Sequence, residues 1–110
     1  MNLYDSIHCE YPLPNPEAQD ILFQTKNLWR NFDKYTLTEE GRLVLPCTRT
    51  EKGQRIHYAD MDTFYHGILE FYGETLPYPG DVVILEAQFW EGQLTSVEEV
   101  PVTQNWYENI

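Results

Sequence analysis

The chain has 110 residues, 42% of them hydrophobic, with eight Tyr, five Phe and three Trp. That is enough apolar surface for one core despite a net charge of -11, which argues against a disordered acidic segment. The longest apolar run, residues 82–85, falls far short of the roughly 18–20 residues of a membrane-spanning helix, and the first ten residues lack the basic and apolar parts of a secretory leader, so the expectation is one domain over residues 1–110 in the cytoplasm of a bacterial or infected host cell.

Residues 4–9 alternate in character as a half-buried strand does. Prolines at every second position in YPLPNP (11–16) fix φ and remove donors, so this piece is expected to be extended, with Tyr11 and Leu13 packing across the open end of a sheet. A short helical turn is expected at 16–20, with Glu17 and Asp20 near its positive end, and a short extended piece at 23–25. The spacing of Leu28, Trp29 and Phe32 suits two helical turns over 26–32 with those three side chains facing the core. Residues 35–38 and 42–45 flank Glu39, Glu40 and Gly41, the pattern of a hairpin with a three-residue loop. Pro46 is expected to end the second strand, and the polar residues 48–54 (TRTEKGQ) to form an exposed loop.

The second half is more regular. Segments 64–72, 81–90 and 93–100 are β-type, the last two joined by the tight turn Glu91-Gly92, and predict an antiparallel meander. In the middle segment Val83, Leu85, Ala87 and Phe89 should point one way, with Val82, Ile84, Glu86, Gln88 and Trp90 pointing the other, because a strand has period two. The predicted class is mainly β, or α+β with little helix, built as an antiparallel sheet in one compact domain.

The elements YDSIHCEYPLPNPEAQ (4–19), FQTKNLWRNFDKYTLTEEGRL (23–43), FYHGILEFYG (64–73) and AQFWEGQL (87–94) resemble, in that order, a group of small uncharacterised bacterial and prophage-associated proteins. The resemblance implies a cytoplasmic or phage-expressed domain and supplies no catalytic residues. The chain departs from that pattern in LPYPGD (76–81) and in its acidic tail.

Charge is unevenly distributed. All seven basic residues fall within 26–55, so residues 1–55 carry seven bases against eight acids, whereas residues 56–110 carry ten acids and no Lys or Arg. A field of that kind repels nucleic acid and draws basic partners. Within 26–55 the bases accompany Trp29, Phe32 and Tyr35, a combination that stacks nucleobases, but four acids reduce the stretch to +3, so direct nucleic-acid binding is not expected.

Recognisable catalytic motifs are missing. Ser6 and Ser96 lie outside any Gly-x-Ser-x-Gly elbow, Cys9 and Cys47 lack an activating neighbour and are expected as thiols, and Gly73 and Gly80 lack the lysine of a phosphate loop. His8, Cys9, Cys47, His57 and His66 are not spaced as a zinc set. No cofactor is expected.

Two other constellations deserve a structural test. Asp60, Asp62, His66 and Glu70 combine carboxylates with an imidazole and suggest, as an alternative reading, a small metal-dependent hydrolase or ligand-binding domain. The leading reading is a non-enzymatic protein-binding module, in its sharper form a phage-encoded inhibitor of a bacterial defence or nucleic-acid enzyme. Its surface would consist of Asp60, Asp62, Glu70, Glu74, Glu86, Trp90, Glu91, Glu98, Glu99, Trp106 and Tyr107, and its partner would present a basic surface. In the extreme, the carboxylates would align as phosphate surrogates. A third reading is a structural role, by homodimerisation through sheet edges or the aromatic tail.

Overall fold

The computed structural model describes residues 3–77 and 79–102. Eight strands form one sheet: β1 (Asp5–Cys9), β2 (Leu22–Thr25), β3 (Lys34–Leu37), β4 (Leu43–Glu51), β5 (Gln54–Asp62), β6 (Gly67–Glu74), β7 (Val82–Trp90) and β8 (Gln93–Val100). Their order across the sheet is β5-β4-β3-β1-β2-β6-β7-β8. Every pairing is antiparallel except β1 with β3. The domain is mainly β, as predicted. Its helical content among the described residues is one 3-10 turn, Pro16–Ala18, where Asn15 caps the Glu17 N–H.

One face of the sheet makes the core. Period-two alternation turns Ile7, Phe23, Tyr35, Leu37, Leu69, Phe71, Val83, Leu85, Ala87 and Phe89 inward, with Phe23 and Phe71 packed edge to face at 5.1 Å between ring centres. The proline-rich link covers one end. Leu13 is buried there, Tyr11 packs against the core, and the Gln19 side chain ties the link down by donating to the Cys9 and Tyr11 carbonyls and accepting from the Leu13 N–H.

The sheet also curls back on itself. Residue 42, just ahead of β4, bridges to residue 93 at the start of β8, the Leu94 N–H donates to the Gly41 carbonyl, and Gln93 Nε2 donates to the Glu40 carbonyl. The β3–β4 and β7–β8 turns therefore meet in a seam. Gly41 and Gly92 carry the positive φ values, +82° and +91°, that these turns require.

Two segments differ from the sequence expectation. Residues 26–33 are not helical; Arg30 and Phe32 adopt left-handed backbone, at φ 57° and 60°. The cause is distant in sequence: the fully buried Asp5 carboxylate accepts the backbone N–H groups of Arg30, Asn31 and Asp33 at 2.7–3.0 Å, which a helix would have pointed elsewhere. Leu28 packs against the core, but Trp29 and Phe32 face solvent, Trp29 stacked on Tyr35 and Phe32 edge-on to Tyr4. Burial, then the Asp5 and Asp33 carboxylates, push the Tyr35 phenol up to about 12.

The second difference is at Pro46. The strand does not end there. β4 continues to Glu51, turns at Lys52-Gly53 (φ 50° and 78°), and returns as β5, so Asp60 and Asp62 lie on a strand and not in a loop. Residues 48–55 are exposed on both faces of this hairpin, which stands off the body as an arm. Tyr58 is the extra residue of a bulge opposite Cys47 and Thr48.

Cys9 and Cys47 are free thiols. Burial pushes Cys9 up to about 12, so at neutral pH it is a buried, protonated thiol. Ellman titration of the native protein is expected to detect Cys47 alone, with Cys9 appearing on adding denaturant; rapid modification of both would show that the β1 face opens.

Candidate interaction surface

The outer face of β6–β8 is set by register. Three rows run across these strands: Ile68 opposite Gln88 opposite Ser96, then Glu70 opposite Glu86 opposite Glu98, then Tyr72 opposite Ile84 opposite Val100. Residues directly opposed in a sheet hold their Cβ atoms about 4.5–5.5 Å apart, where like charges repel. Three carboxylates thus stand side by side. Among the described residues none of the three takes part in an ion pair. Glu70 is held in register past the end of β2 by side chains: its N–H donates to Asn27 Oδ1 at 2.7 Å, and its carbonyl accepts from Thr25 Oγ1 at 2.7 Å.

Beyond the Ile68 row the face becomes apolar. Phe64 is 66% exposed, Trp90 64% and Ile68 57%. A hollow of about 550 Å³ opens between Phe64, His66, Trp90 and Glu91, and a second of about 340 Å³ between Ile68, Gln88, Trp90 and Thr95. Trp90 divides them. The corner is braced by the seam: the Glu91 N–H donates to His66 Nδ1 at 3.0 Å, the His66 and Trp90 rings meet at 4.8 Å, and the Gly92 N–H donates to the Tyr65 carbonyl. A backbone N–H can only donate, so His66 Nδ1 is an acceptor here.

Beneath Phe64, Arg42 forms a 2.6 Å bond to Asp62 and lies 5.2 Å from the Phe64 ring centre. Burial raises the Asp62 carboxyl, but the Arg42 guanidinium and the Phe64 N–H more than offset this, so it titrates below the ordinary carboxylate value. A depressed folded-state value means that the carboxylate's stabilisation is present above the unfolded value near 4 and is lost as pH falls through the folded one. Asp62→Asn is therefore expected to cost about 1 kcal/mol near neutral pH. In urea unfolding at pH 7 and pH 3, that difference should shrink at the lower pH; an equal cost at both would show that the ion pair is not its origin.

The sequence-predicted residues separate into groups. Glu70, Glu86 and Glu98 form the row, Glu74 lies two positions further along the outer face opposite Val82, and Trp90 and Glu91 form the apolar corner. Glu99 points to the other face, where its carboxylate accepts from Asn15 Nδ2, because neighbouring strand residues alternate. Asp60 takes His57 as its partner at 2.7 Å on β5 and Asp62 takes Arg42 at the seam, so the eight acids do not make one line of phosphate surrogates. Nor do Asp60, Asp62, His66 and Glu70 converge. Among the described residues no group of three His, Cys, Asp or Glu side chains is arranged to hold a metal ion. Trp106 and Tyr107 lie outside the described residues, as does Tyr78. Phe71 and Phe89 are core.

Sequence reasoning missed one hollow. About 580 Å³ opens between Phe32, His8, Lys34 and Arg55, with Asp33 as the one acid in its lining, so two bases face it where β6–β8 carries a row of acids. The confinement of bases to residues 26–55 was its signal.

No protein-family model, curated protein or solved structure matches the chain. No helix among the described residues is long and apolar enough to cross a membrane.

Proposed function

We propose that this chain is a non-enzymatic protein-binding module, of the phage or prophage-encoded inhibitor kind, that receives a basic partner on the outer face of β6–β8. The observation that carries the reading is the opposed row Glu70, Glu86 and Glu98. Such a row works against folding, and a positively charged partner would relieve it. The adjoining Trp90 and Ile68 supply the apolar anchor that interfaces concentrate at their centre, ringed by charge. A bacterial enzyme that handles nucleic acid presents the matching surface, basic and built to meet closely spaced negative charge.

Capture from bacterial lysate tests this, comparing wild type with a variant carrying Glu70→Lys, Glu86→Lys and Glu98→Lys. Wild type is expected to retain partners at about 0.1 M salt and to release them towards about 1 M, as the screening length falls from ~10 Å to ~3 Å. The variant should retain none of them. Identical partners on both proteins would overturn the assignment.

A further inference from the structure

The molecule carries a counterpart to its own acidic face. The tip of the β4–β5 arm holds Arg49, Lys52 and Arg55 against the single acid Glu51. Arg49 lies 5.4 Å from the Tyr58 ring centre, and Tyr58 (57% exposed) and Met61 (51%) add apolar surface to the same strand pair. Bases with exposed apolar side chains on the arm thus answer acids with exposed apolar side chains on β6–β8.

The two surfaces do not meet within one copy. Among the described residues, the arm's basic side chains form one ion pair, Arg49 with Glu51 at the tip itself, and Glu70, Glu86 and Glu98 form none. β5 and β8 are the opposite edges of the sheet, and the seam joins only the start of β4 to the start of β8. A hairpin exposed on both faces is a marginal structure on its own and gains from being covered.

The geometry points to head-to-tail self-association, in which the β4–β5 arm of one copy lies across the β6–β8 face of the next. The inference rests on the reading of that face as a site for a basic partner, and adds a second copy as an occupant that competes with any other basic partner for it. Dimensions agree: the carboxylate row spans three strands, about 10 Å, and Arg49, which shares its face of the hairpin with Met61, can enter it together with Lys52 at the turn, while Arg55, opposite Thr50, projects from the other face. Trp90 and Ile68 then receive the apolar flank of the arm. Because arm and face are different surfaces, the contact is heterologous, and repetition gives a closed ring or an open filament, not a two-fold dimer.

Sedimentation velocity over a range of concentrations, at about 0.1 M and about 1 M salt, tests it. Wild type should grow in mass with concentration at low salt and revert to monomer at high salt. Two variants, one with Arg49→Glu, Lys52→Glu and Arg55→Glu and the other with Glu70→Lys, Glu86→Lys and Glu98→Lys, should each associate about tenfold more weakly or worse. Mixing them pairs an acidic arm with a basic face, and a basic arm with an acidic face, and should restore association. Circular dichroism melts check that both variants fold. Wild type that stays monomeric throughout, or that associates equally well with the arm reversed, would overturn the proposal. Were a monomeric wild type still to capture lysate partners that the Lys variant loses, self-association would fall while the acidic face kept its assignment; loss of both would remove both.

Discussion

Replacing Asp5 by alanine is expected to cost about 3–5 kcal/mol, since the loss of one buried carboxylate leaves several backbone donors without a partner. The Asp5 carboxylate is fully buried, and it satisfies the Arg30, Asn31 and Asp33 N–H groups at once. Those bonds also offset the left-handed backbone at Arg30 and Phe32, worth about 1–2 kcal/mol of strain at each residue. For a domain of ordinary stability, about 5–15 kcal/mol, such a loss is a large fraction of the total. Asp5→Asn should lose less, because its amide oxygen still accepts while its NH2 opposes a donor. Urea unfolding measures both, and hydrogen exchange should show the three amides losing protection first. A cost below about 1 kcal/mol would mean that water enters and takes over the carboxylate's role.

That anchor shows where a sequence stops being legible. Leu28, Trp29 and Phe32 have helical spacing, and nothing nearby contradicts it; the contradiction sits more than twenty residues away, on a strand whose polar residue turns inward. The arm was hidden for a different reason. Strands are read from an apolar face, and residues 48–55 have none, because neither side of the hairpin packs on the core. Only Lys52-Gly53 marked the turn. The β6–β7–β8 meander, in contrast, was readable in order and pairing, although its first strand runs over Gly67–Glu74 and not 64–72, Phe64 being left-handed: Val83, Leu85, Ala87 and Phe89 alternate with more polar neighbours, and Glu91-Gly92 marks the hairpin.

The candidate surface was half visible in the same way. Sequence shows that residues 56–110 are acidic and rich in aromatics, but only register shows which acids share a face. Glu98 and Glu99 are neighbours in the chain and point to opposite sides of the sheet, while Glu70 and Glu98 are far apart in the chain and flank the same residue. Asp60 and Asp62 are taken up by His57 and Arg42, and Glu99 turns to the other face towards Asn15, so none of the three joins the row. What remains is smaller than the composition suggested, and more concentrated.

Glu86 is the centre of that concentration, and its replacement should separate folding from binding. Lysine at this position would face Glu70 on one side and Glu98 on the other, turning two repulsive cross-strand pairs into two attractive ones. Each such pair contributes about 0.2–1 kcal/mol, so Glu86→Lys is expected to raise stability by about 1 kcal/mol, a few degrees in thermal midpoint for a domain of this size. The same change removes the strongest part of the negative field and should weaken binding of a basic partner about tenfold or more. Glu86→Gln should fall between the two in both measurements. Thermal melts and capture from lysate, on the same preparations, decide the matter. A gain in stability with binding intact would mark the row as an unused imperfection, and a loss of stability would mean that the carboxylates are not in conflict. Only the opposed pair of changes, firmer fold and weaker binding, fits a surface whose repulsion is retained for a partner.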